Sequence, residues 1–189
     1  MSSSVVPHSS PELALHRPEH RPSFFLPRRW ALPGLFAWFG VVMGSWASRI
    51  PALRDGVQAS HHLLSLVLLC GGLGAVLSFP VSSRLMAHLG GRQTMLISGI
   101  AMLLVLLGIG FAPSAPLLMF AVLMLGTAAS SFDVGMNSVA AHHEKITGRS
   151  MMSMLHACAC GGGHAGAGLG SAMASLNLSP AMQIGRAHV

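Results

Sequence analysis

The chain has 189 residues, of which 8% are charged and 52% apolar, with 22 Gly, 13 Met and no Tyr. So little charge cannot cover a water-soluble domain of this size, and a mean hydropathy of +0.62 is far from that of a disordered chain. Three Cys exclude a disulfide framework, so the composition points to an all-α membrane protein.

The first 29 residues are rich in Ser, Pro and His and carry Arg17, Arg21, Arg28 and Arg29. They read as a disordered basic cytoplasmic arm, residues 1–29. Arg28-Arg29 ahead of Trp30 also fits a twin-arginine signal, but the arm is long for one and further apolar segments follow.

Beyond the arm, the gaps between Asp, Glu, Lys and Arg define the elements. Residues 30–48, 57–83, 93–132 and 150–185 are free of them, for 19, 27, 40 and 36 residues. A spanning helix needs about 20 mostly apolar residues. The 40-residue gap fits two helices broken at Ala112-Pro113-Ser114-Ala115-Pro116, where two prolines end one helix and start a turn. This predicts five transmembrane helices over about 31–49, 63–85, 93–111, 117–140 and 152–175, within a bundle of residues 30–183.

With the N-terminus in the cytoplasm, eight of the Lys and Arg fall inside and three (Arg49, Arg54 and Arg186) outside. That orientation follows from the positive-inside rule. The net charge of +6 then reports topology. A nucleic-acid interface would gather its bases on one face, whereas here they are scattered between apolar spans.

Asp133 and Asn137 lie four apart on the fourth predicted helix and share a face. An acid inside a span costs about 2.5 kcal/mol or more unless it is paired or wet. Asp133 can therefore hold a proton, a hydroxyl or a cation, or it can pair with another helix. Arg49 ends the first charge-free run, and snorkelling to the interface accounts for it.

On the fifth helix Gly162, Gly166 and Gly170 repeat every four residues, a small-xxx-small seam for close helix packing. Met152, His156, Cys160 and His164 repeat at the same interval on another face, about 200° from the glycines. Met, Cys and His suit copper(I) or zinc. Residues stacked along one helix do not converge on an ion, so no metal site is assigned. His142, His143, Glu144 and Lys145 read as a solvated turn. No nucleophile–base arrangement, P-loop or dinucleotide fingerprint is present, so no enzyme activity and no cofactor are expected.

Two segments carry a resemblance. One is Trp46-Ala-Ser-Arg-Ile-Pro-Ala-Leu-Arg-Asp55. The other is Asp133-Val-Gly-Met-Asn-Ser-Val139 with Gly148-Arg-Ser-Met-Met-Ser-Met-Leu-His156-Ala157. Together, over about residues 30–180, the chain resembles the major facilitator superfamily, in the bacterial branch of the rhizopine-associated membrane protein and related inner-membrane permeases. A third landmark of that superfamily is Gly-x-Leu-Ala-Asp-Arg-x-Gly-Arg-Lys. Ser83-Arg-Leu85-Met-Ala87-His88-Leu-Gly90-Gly91-Arg92 matches it at Leu85, Gly90 and Arg92, but Ala87 replaces the acid.

The resemblance implies a twelve-helix transporter of two six-helix halves, working by alternating access, of which this chain would supply five helices of the first half. The expected partners are a small polar solute, the lipid bilayer and the second half of the fold, with no nucleic acid. The implied substrate or proton residues are Asp133, Asn137, Arg49 and His156. Ile184-Gly-Arg-Ala-His-Val189 resembles a translated sequencing adapter, which implies a truncated frame and no transport by these 189 residues alone. The alternatives are a small membrane protein acting by helix association, or soft-metal handling through the fifth helix.

Overall fold

The computed structural model describes residues 30–56 and 60–175. The predicted arm and the 184–189 tail lie outside the described residues. Four helices account for nearly all of the rest: α1 (Ala31–Gly56), α2 (His61–Ile109), α3 (Ala115–Thr147) and α4 (Met152–Ser175). By length and composition, Ala31–Pro51, His61–Ile109 and Ala115–Thr147 are long and apolar enough to cross a membrane. An all-helical build fits such a sequence, because each backbone N–H is satisfied within its own segment.

The ends of the helices follow local chemistry. The Ser60 side chain accepts the N–H of Leu63 and caps α2. Pro116 stands in the first turn of α3, where its missing N–H costs nothing. Gly148 closes α3 in the left-handed conformation (φ 66°), its N–H bonded to the Glu144 carbonyl at 2.8 Å.

The second and third predicted helices follow one another directly across Gly90, as the two arms of α2, with no separate loop between them. Straight, α2 would measure about 74 Å, more than twice the hydrocarbon thickness. It is broken at Gly90, whose φ of 78° and ψ of 165° are non-helical. Along the first arm, Gly71 meets Val122, Gly74 meets Leu123, and Ser82 meets Ser131, so this arm runs parallel to α3. Along the second arm, Gly91 meets Ser138, Met95 meets Gly135, and Gly99 meets Phe132, so this arm runs antiparallel to α3. The chain therefore reverses at Gly90. Only glycine settles readily in that backbone region, and a side chain there costs about 1–3 kcal/mol. Gly90→Ala is expected to destabilise by that amount in detergent thermal unfolding. Gly72→Ala, at a helical position with open space around it, is expected to be neutral or slightly stabilising.

The helices associate as two pairs, α2 with α3 and α1 with α4. In the first pair, Val67, Met102 and Ile109 pack on Leu118, Val122 and Leu125. The Thr127 hydroxyl donates to the Gly74 carbonyl across the contact, at 3.0 Å. A second cluster joins the pairs: Leu32 and Phe36 of α1, Phe132, Met136 and Ala140 of α3, and Leu155 of α4. Leu69, Leu73, Phe79, Ile100 and Leu104 of α2 face outward, as a lipid-facing surface requires.

The α3–α4 connection departs from the expected solvated turn. One carboxylate oxygen of Glu144 accepts the N–H groups of both Met151 and Met152, the latter at 2.7 Å. These are otherwise orphaned donors at the start of α4, and a negative charge suits that helix end. Glu144→Ala is expected to lower the thermal midpoint by a few degrees, with Glu144→Gln recovering part of it.

Candidate functional site

Asp133 sits about 27 Å from the start of α3 and about 21 Å from its end, on a half-buried face. The Asn137 amide donates to its carboxylate at 3.1 Å and to its backbone carbonyl at 2.9 Å. His156, in the second turn of α4, is close enough to Asp133 to interact with it electrostatically. Its ring stands edge-on to Phe36 of α1, with centroids 5.7 Å apart.

Phe132, beside Asp133, is itself packed against Trp38 and Phe39 of α1 at 5.9 and 5.3 Å. Aromatic contacts of this kind hold α1, α3 and α4 in register at this level. The result is a carboxylate, an amide and an imidazole where three helices meet. The carboxylate accepts, the amide donates and accepts, and the imidazole can donate or accept through its two ring nitrogens.

The other implied site residues are elsewhere. Arg49 lies 13 residues beyond Phe36, about 20 Å along α1, near the far end of the bundle. It is buried, at 5% exposure, where snorkelling would have exposed it. Leu85 is half-buried and Arg92 exposed, on either side of the Gly90 reversal. Gly91 approaches Ser138, which places the reversal at the Asp133–Asn137 end of α3.

Gly162, Gly166 and Gly170 face α1. A Cβ on Gly162 would strike the backbone of Ala37, one on Gly166 the backbone of Val41, and one on Gly170 the side chain of Ser48. The fit is reciprocal, because a Cβ on Gly40 or Gly44 would strike the backbone at Ala159 or Gly163. The Ser45 hydroxyl donates to the Gly166 carbonyl at 3.1 Å. The α1 half of this contact escaped the sequence reading, although Gly40, Gly44 and Ser48 show the same four-residue interval.

Away from this seam, His156, Cys160 and His164 are exposed. The His164 ring is bonded back to the Cys160 carbonyl at 2.8 Å. Among the described residues, no three His, Cys, Asp or Glu are placed to hold a metal ion.

No family model matches the chain, and neither does any solved structure. Curated proteins do match. An uncharacterized transporter of Sinorhizobium fredii is 38% identical over 118 residues, covering 62% of this chain and 31% of the relative. An uncharacterized MFS-type transporter of Yersinia pestis is 35% identical over 141 residues, or 75% and 37%. The chain is similar to a major-facilitator transporter. Membrane protein MosC of Rhizobium meliloti is also similar, at 27% identity over 123 residues, or 65% and 30%. The match with each of these relatives covers about a third of the relative's length.

Proposed function

We propose that these helices are part of a secondary transporter that moves a small polar solute across the inner membrane by alternating access. The observation that carries this reading is the Asp133–Asn137–His156 group at the meeting of α1, α3 and α4, on stretches of helix dominated by apolar residues. Relatives named as transporters support it. In this reading the two arms of α2 are separate crossings and α4 is a fifth, with the N-terminus cytoplasmic. Asp133 carries the coupling proton, and Asn137 and His156 take part in binding the solute. Arg49 belongs to the opposite mouth. The second bundle of the fold supplies the other wall of the cavity, so the 189 residues alone carry no solute.

The test is reconstitution into vesicles loaded with a pH-sensitive dye and challenged with sugars, polyols and amino acids. A transporter containing these helices should acidify the lumen with one solute class, and the 189-residue chain should not. Saturable flux through the chain alone would overturn the half-site reading. Solute uptake with no proton movement would overturn the coupling.

Of the two surfaces the helix-association alternative would use, the glycine face of α4 and the unpaired side of the bundle, the first is covered by α1.

A further inference from the structure

A groove of about 680 Å³ opens where α1 begins, α3 ends and α4 begins. Trp30, Met151 and Met154 form its apolar side, and His143, Thr147, Arg149 and Ser150 its polar side. None of these residues is a carboxylate. The nearest acid, Glu144, is committed to the N–H groups of Met151 and Met152 and to the Ser150 hydroxyl. The Thr147 hydroxyl donates to the His143 carbonyl. That leaves the Arg149 guanidinium and the His143 ring as the polar groups facing a ligand. Arg149, Trp30 and Met154 are exposed, and Lys145 is exposed nearby. Arg28 and Arg29 directly precede Trp30 in the sequence.

We infer that this groove binds the headgroup of an anionic phospholipid. Arg149 takes the phosphate, and Trp30, Met151 and Met154 take the first part of the acyl chains. Two features favour a lipid over a soluble anion: the apolar wall beside the cation, and the position at the level where apolar helices give way to polar ends. Tryptophan and arginine are the side chains suited to that level. The proposal rests on the membrane reading above. It places the groove at the end with more Lys and Arg, which faces the anionic leaflet.

Trp30 is a built-in reporter once Trp38→Phe and Trp46→Phe remove the other two tryptophans. The full chain is reconstituted with brominated phosphatidylglycerol or brominated phosphatidylcholine at equal mole fraction, and Trp30 quenching is measured. The expected result is a roughly five-fold preference for phosphatidylglycerol, the effect of one cation at an anionic surface. Arg149→Gln should bring the preference close to unity, and Arg149→Lys should keep most of it.

Equal quenching by the two lipids would overturn the groove as a headgroup site, as would a preference that survives Arg149→Gln. Loss of the preference in millimolar sodium phosphate, but not in sodium chloride of equal ionic strength, would overturn the lipid in favour of a soluble phosphate. No quenching by either lipid would put Trp30 outside the bilayer and would count against the membrane reading itself.

Discussion

Gly162→Leu and Gly166→Leu are each expected to separate α1 from α4. At both positions the first new carbon would land on the backbone of α1, at Ala37 or Val41, and backbone cannot rotate out of the way. Overpacking typically costs about 1–3 kcal/mol when side chains can adjust. With backbone on both sides of the contact, the cost should reach at least the top of that range. Detergent thermal unfolding or denaturation in a strong detergent would read it. Gly161→Leu and Gly168→Leu are the controls, because both positions open onto space. Equal stability of Gly162→Leu and Gly161→Leu would refute the α1–α4 contact.

Asp133→Asn is expected to abolish proton-driven accumulation in a transporter containing these helices while leaving the fold intact. Asparagine keeps the shape and an oxygen that can accept from Asn137, so the hydrogen bond at 3.1 Å has a replacement. What disappears is the ability to exchange a proton. Removing an essential proton-transfer group typically costs 10²–10⁴-fold, so uphill uptake should fall by roughly 10²-fold or more. Exchange of solute down its gradient should continue. Asp133→Glu should retain partial coupling. Uphill accumulation by Asp133→Asn at the parent rate would sink the coupling role.

Much of the helical layout was legible in the sequence because charge and proline are blunt signals. The Pro113–Pro116 break marks the end of α2 and the start of α3 to within a few residues. Asp133 and Asn137 could be placed on one face because helical period alone decides that. Other features need partners that periodicity does not name. Gly90 stands beside Gly91, and nothing in the pair says that only the first turns the chain with a positive φ. The Glu144 cap depends on donors seven and eight residues ahead, across a turn whose geometry the sequence does not contain. The glycine interval on α4 announced a close contact, but not that α1 makes it. Arg49 looked like an interfacial arginine from its place at the end of a charge-free run. Its burial, at 5% exposure, depends on packing that the charge-free run does not announce.

The α1–α4 clasp also sets a timetable for biosynthesis. The Ser45–Gly166 hydrogen bond joins residues 121 positions apart. At about 5–20 residues per second, the ribosome needs roughly 6–24 s to make the intervening chain. For that interval the small-residue face of α1 has no native partner, while the two arms of α2 and then α3 emerge and can pair among themselves. The earliest of the described helices is thus among the last to be fixed, and whatever shields Gly40 and Gly44 in the meantime must release them when α4 arrives.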